Sequence, residues 1–128
     1  MGFLESLFGD GGESSEKVLW QSVTEEGQVD EIIISSNQKL QVILKHSTRC
    51  GTSFFAKKNL DSIPEEQLGQ VDLYIINVIR HRPVSKYLAD KLGVRHESPQ
   101  LFVVKGGQVQ WHGSHMSVNE RNLLQALG

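Results

Sequence analysis

The chain holds one cysteine, Cys50, and the residues around it are of the types that make a sulfur reactive. It lies in His46-Ser47-Thr48-Arg49-Cys50-Gly51-Thr52-Ser53, a polar stretch that follows the apolar run Val42-Ile43-Leu44. Such a run predicts a strand covered on both faces, and the residues from about Cys50 towards Leu60 predict a helix. Cys50 then stands at the helix's first turn, where unpaired backbone N–H groups and the positive end of the dipole favour a thiolate. Arg49 adds a positive charge nearby. Ser53, one helical turn along the same face, can donate a hydroxyl hydrogen bond to the sulfur. A lone cysteine is more commonly a buried apolar filler, but a filler needs none of these neighbours.

Cys50 to Ser53 has the spacing of a C-x-x-C redox pair with serine in place of the second cysteine. One sulfur forms no internal disulfide, so any redox cycle is completed by a sulfur from another molecule. A thiolate here can attack a mixed disulfide and carry a small thiol away, and a second external thiol must then regenerate it. Ser98-Pro99-Gln100, just before an apolar strand, is the second informative element. Proline has no N–H to give a ladder and suits a strand's beginning. The plain reading is a turn; the sharper one is a cis Ser98-Pro99 bond facing Cys50, with the Ser98 backbone free to pair with an extended substrate.

The other polar groups read as ordinary. His46, His112 and His115 show no paired metal-ligand spacing, so no metal is expected. Arg80-His81-Arg82, at a strand's carboxyl end, reads first as a solvated surface, with contact to an anionic group as the alternative. Trp20 and Trp111 read as packing residues.

The elements that must position Cys50 follow from periodicity. Val18 to Val23 predicts a short first strand. Thr24 is placed as the cap of a helix buried through Val29, Ile32 and Ile33. The strand Gln41–Lys45 and the helix after Cys50 come next, then a capped turn at Ser62-Ile63-Pro64-Glu65. Val71 to Ile79 is a second strongly apolar strand, and Pro83 opens a helix that Gly93 terminates. Leu101–Val104 and Val109–Trp111 flank Gly106-Gly107 as a hairpin. Ser117-Val118-Asn119-Glu120 predicts a capping box for a closing helix buried through Leu123, Leu124 and Leu127. The order is β-α-β-α-β-α-β-β-α: an α/β fold with a central mixed sheet and helices on both faces. Helical crossovers predict parallel pairing, and the tight turn an antiparallel pair at the end.

With 128 residues the chain is one domain's worth, and its net charge of -2 with interspersed signs offers no basic face to nucleic acid. No run approaches the ~20 apolar residues of a membrane helix. Residues 1–16 read as a flexible tail: Phe3, Leu4, Leu7 and Phe8 line one side of a short amphipathic end, and the Met1-Gly2 start matches a myristoylation signal only at its few constrained positions. Without a secretory signal, and with a single thiol, the expected place is the cytoplasm.

The element order, the cysteine after the first long strand and the Ser-Pro before the hairpin resemble the thioredoxin fold over 17–128. More narrowly, Lys45-His46-Ser47-Thr48-Arg49-Cys50 with Ser53 resembles the monothiol bacilliredoxins, the bacillithiol-linked YtxJ-like family, in which a Lys-His-Ser-Thr segment precedes the single active cysteine. The similarity runs from about Trp20 to Leu127. It implies removal of bacillithiol, or a similar low-molecular-weight thiol acting as co-substrate, from proteins carrying mixed disulfides, with no bound cofactor. Cys50 would be the nucleophile, Ser53 would hold the resolving position and Pro99 would be the cis-proline opposite. Thr48, Arg49, Gly51, Thr52, Ser98 and Pro99 would meet the substrate. The chain has Gly51-Thr52 where family members often carry proline, and Gly51 loosens the helix's first turn. Two other functions fit the same fold: a non-catalytic thioredoxin-like binding module, and a single-cysteine redox sensor.

Overall fold

The structure, a computed structural model, describes residues 19–128. The tail expected at 1–16 lies outside them, as does Val18. Five strands form one sheet in the order β1-β3-β2-β4-β5: β1 (Gln21–Ser22), β2 (Gln41–His46), β3 (Asp72–Asn77), β4 (Gln100–Lys105) and β5 (Gln108–Ser114). The helices are α1 (Glu26–Ser35), α2 (Gly51–Asp61), α3 (Glu65–Leu68), α4 (Arg82–Leu92) and α5 (Glu120–Leu127), with a 3-10 turn at His115–Ser117. The expected mixed α/β sheet with helices on both faces is what forms.

Alternation along the central strands sorts the core into two layers. Val42, Leu44, Leu101 and Val103 face α2, α3 and α5, meeting Ala56, Leu60, Leu68 and Leu123. Ile43, Ile76, Phe102 and Val104 face α1 and α4, meeting Val29, Ile32, Val84 and Leu88. Both layers exclude water almost fully, and each buried Val, Leu, Ile or Phe side chain is worth about 1.5–3 kcal/mol. The β2 strand is apolar without alternation because it lies between β3 and β4 with helices above and below.

Pairing departs from expectation at one connection. β2 and β3 are parallel, but β2 and β4 are antiparallel, with Lys45 opposite Gln100. The α4 crossover therefore joins antiparallel strands. After Gly93, in the left-handed conformation, the chain turns back along α4 and His96 reaches Ser85, with 3.2 Å between His96 Nδ1 and Ser85 Oγ. It thus enters β4 from the edge at which β3 ended. The hairpin is as expected: Gly106 and Gly107 have φ of 60° and 80°, values that a two-residue turn between twisted strands requires.

Smaller boundaries moved for local reasons. β3 stops at Asn77 because its Oδ1 accepts from the N–H groups of Ile79 (3.0 Å) and Arg80 (3.1 Å), curling the chain off the sheet. The cap of α1 is Glu25, not Thr24, and Gln28 Oε1 accepts from both their N–H groups. Asn119 caps α5, accepting from the Asn122 N–H at 2.9 Å, because Ser117 is taken up by the 3-10 turn. Trp20 packs against the α2 layer and donates from Nε1 to Asp61, and Trp111 packs on the same layer.

Candidate functional site around Cys50

Cys50 is the N-cap of α2, in extended conformation (φ -113°, ψ 123°), so the helix begins one residue later than expected. Two contacts hold it there. Its N–H donates to the Ser47 carbonyl at 3.3 Å, and its own carbonyl accepts the Phe54 N–H at 3.0 Å, opening the helix. Ser53 is fully buried, and its hydroxyl accepts the Ser47 N–H at 3.2 Å, closing the loop between strand and helix. Sheet, loop and helix start are thus one braced unit, with the cysteine half-buried at its rim.

The sulfur is charged more easily than an ordinary thiol. Its pKa is lowered, first by the backbone N–H of Ser53, against some loss of hydration, then by the backbone and hydroxyl of Thr52 and the hydroxyl of Ser53. Hydrogen bonds to the thiolate stabilise the charged form. These donors are the unpaired groups of a helix's first turn. Arg49, expected to supply a charge, is exposed like Thr48 and contributes none of the lowering.

Ser98-Pro99 is a cis peptide bond. Pro99 is buried immediately before β4, whose Gln100 pairs with Lys45 near the end of β2, so proline and cysteine loop belong to the same sheet edge. The Pro99 carbonyl accepts from the His115 N–H at 2.9 Å. His115 has φ of 54°, the only non-glycine in the left-handed region among the described residues, and its Nε2 lies 3.0 Å from Glu97 Oε1. The 3-10 turn it begins forms the far wall of an open groove of about 630 Å3 whose near wall is Gly51, Thr52, Phe55 and Ala56. Phe55 and Met116, 68% and 84% exposed, are its apolar lips. Ser98 makes no backbone hydrogen bond with the described residues, and its Oγ is buried without a partner.

Near this edge Lys45, so far only the first residue of the Lys-His-Ser-Thr segment, meets His96 in a contact that was not anticipated. Lys45 is fully buried and makes no ion pair among the described residues; its Nζ lies 3.0 Å from His96 Nδ1 and 5.6 Å from the Phe102 ring centre. Burial pushes its pKa down to about 8. His96 is itself lowered, first by loss of hydration and then by the Lys45 charge. The available signal was a lysine directly following the apolar run Val42-Ile43-Leu44. The groove's lips, Phe55 and Met116, carried no signal beyond being apolar at exposed helical positions.

The three histidines considered as metal ligands do not converge. His46 ends β2 with its Nδ1 buried and unpaired, His112 lies against the Phe102 ring, and His115 meets Glu97. Among the described residues no three His, Cys, Asp or Glu side chains are grouped to hold a metal. None of their helices is long and apolar enough to cross a membrane.

The family model described as "Monothiol bacilliredoxin BrxC" matches residues 21–123. A candidate oxidoreductase with a thioredoxin fold is similar at 30% identity and a TM-score of 0.74, over 84% of this chain and 93% of that one. Thioredoxin from Malassezia sympodialis (18% identity, TM-score 0.67, 88% of this chain and 90% of that one) is similar in fold. So is thioredoxin from Trypanosoma brucei brucei (16% identity, TM-score 0.68, 85% and 88%).

Proposed function

The chain belongs to the monothiol bacilliredoxin family of thioredoxin-fold thiol–disulfide oxidoreductases, and from that premise we propose that it strips a low-molecular-weight thiol, bacillithiol or one like it, from protein mixed disulfides in the cytoplasm. The observation that carries the proposal is the setting of Cys50: a lone, half-buried sulfur at a helix start whose backbone donors favour the thiolate.

The Cys50 thiolate attacks the small thiol's sulfur in a protein–S–S–R disulfide. The bond from Cys50 to that sulfur forms, the S–S bond to the protein's sulfur breaks, and the protein thiolate leaves and takes a proton from water. A second R–SH, as its thiolate, then attacks the R sulfur of the Cys50 adduct. R–S–S–R departs and Cys50 returns as thiolate. The protein substrate is reduced, the one incoming small thiol is oxidised into R–S–S–R together with the R–S group already in the mixed disulfide, and the enzyme is unchanged. Ser53 occupies the position from which a second cysteine would resolve the adduct internally; its hydroxyl supports the thiolate but makes no disulfide. In the same reading Thr52 supports the sulfur, while Thr48, Arg49, Gly51, Ser98 and Pro99 border the substrate's path.

The test is incubation with a bacillithiolated or glutathionylated protein, followed by mass spectrometry of both partners over time. Transfer predicts a transient Cys50 adduct, a reduced substrate and release on adding free thiol. A stable adduct that free thiol does not release would identify a sensor instead. Undiminished partner binding by Cys50→Ala, with no adduct on the native protein, would identify a binding module.

A further inference from the structure

The cationic residues at the start of α4 form a cluster that thiol exchange does not use. Arg82 and Lys86, four residues apart on that helix, line a cavity of about 360 Å3 with Ser85, His96, Val78 and Ile79. Among the described residues neither Arg82 nor Lys86 makes an ion pair. No carboxylate lines the cavity, and Glu97, next to His96 in the chain, is engaged by His115 at 3.0 Å. The chain as a whole carries net charge -2, so the cluster runs against the overall charge.

The state of His96 follows from its partners. Lys45 Nζ lies 3.0 Å from its Nδ1, and an ammonium group only donates. Nδ1 is therefore the acceptor, and the ring proton sits on Nε2. Arg82, Lys86 and His96 thus bring a guanidinium, an ammonium and an imidazole to a cavity whose remaining lining is Ser85, Val78 and Ile79. Lys45, which bonds His96 Nδ1, is fully buried and makes no ion pair among the described residues.

We propose that this cavity is a binding site for a small oxyanion, a carboxylate or phosphate group held by Arg82, Lys86 and His96. Arg82 can take two oxygens of such a group side by side, and Lys86 and His96 add single hydrogen bonds. The cavity borders the edge that carries Cys50: Val78 donates its N–H at 3.0 Å to His46, the last residue of β2. The anion is therefore either a free molecule or the acidic end of the small thiol; the second source rests on the transfer reaction proposed above.

Inorganic phosphate is the probe. Arg82 and Lys86 are exposed, so the doubly substituted R82Q/K86Q protein is expected to fold, which its circular dichroism checks. Phosphate at millimolar concentration should raise the Tm of the native protein above sodium chloride of equal ionic strength. It should also move the amide resonances of residues 82–86 and 96, and bind R82Q/K86Q at least tenfold more weakly. Equal phosphate response in the two proteins, or no response beyond chloride, overturns the site whether or not Cys50 turns over. Transfer assays then separate the sources. If the site holds the acid end of the thiol, R82Q/K86Q raises the ratio of the KM for a glutathione adduct to that for an uncharged 2-mercaptoethanol adduct. If the anion is free, that ratio stays constant while phosphate binding is still lost.

Discussion

Cys50 and Lys45 stand five residues apart on one stretch of chain, and both titrate below their ordinary values, for opposite reasons. At Cys50 the helix's first-turn donors surround a sulfur at the rim, so the charged form is favoured. At Lys45 the strand carries an amine into the sheet's interior, so the charged form is disfavoured. Lowering the pKa of an acid supplies charge; lowering that of a base removes it. The difference shows what the end of β2 does: inside the sheet it suppresses charge, and a few residues on, past the strand end, it creates it.

Removing the sulfur has the largest effect. Cys50→Ser should abolish transfer, since a serine hydroxyl is not ionised near neutral pH and makes no disulfide. The check is the loss of adduct in the mass spectrometer with the fold retained by circular dichroism. In the native protein the alkylation rate of Cys50 against pH should have its midpoint below the ~8.5 of an ordinary cysteine. A midpoint at or above that value would remove the physical basis of the nucleophile.

The second effect falls on Lys45. A lysine held at about 8 in the fold and near ~10.4 in the unfolded chain binds fewer protons when folded between those values. Stability therefore rises with pH through that window. The buried cation's cost is at most about 3 kcal/mol, present in full below about 8 and gone above ~10.4. Lys45→Met replaces the amine with an apolar chain of similar length and removes this dependence. Chemical denaturation at intervals from pH 7 to 10.5 should show Lys45→Met gaining on the native protein at the low end and losing that advantage at the high end. A constant difference between the two would mean that Lys45 is not held off its ordinary pKa.

What the sequence showed of this contrast is uneven, and the reason is the range of the contacts involved. Cys50, Ser53 and the helix start were legible because their interactions lie within a few residues, as were the Gly106-Gly107 turn and the Pro83 and Gly93 helix boundaries. The cis Ser98-Pro99 bond was expected from resemblance, not from local residues. Lys45 was hidden because its partner, His96, is 51 positions away and arrives there only because the chain doubles back along α4. The same return makes β4 antiparallel to β2, which no crossover rule foretold. Arg49 was assigned a role by adjacency alone, and adjacency in sequence did not become electrostatic influence.

Ser53→Ala tests how the cysteine loop divides its work between backbone and side chain. Alanine keeps the Ser53 N–H, the largest cause of the lowered Cys50 pKa, and removes only the hydroxyl. The alkylation midpoint should rise slightly and transfer should slow several-fold without stopping. Stability should fall by about 1 kcal/mol, because the Ser47 N–H loses its acceptor in a buried place. A midpoint returned fully to that of free cysteine would mean that the hydroxyl, not the helix start, creates the charge.

The smallest effect is at Gly51, the first residue of α2. A Cβ placed there would meet nothing within 4 Å, and its backbone is not in the left-handed region that would strain it. Gly51→Ala removes conformational freedom from the unfolded chain at a helical position, so it should stabilise the protein by about 0.5 kcal/mol. The donors on Cys50 come from Thr52 and Ser53, which the substitution leaves in place, so the alkylation midpoint should hold or fall slightly as the first turn stiffens. Denaturant midpoint and alkylation profile, measured on the same preparation, decide it. A midpoint that rises with the added methyl would show that Gly51 serves the approach of a donor to the sulfur, in which case its flexibility is a requirement of the site and not a weakness in the helix.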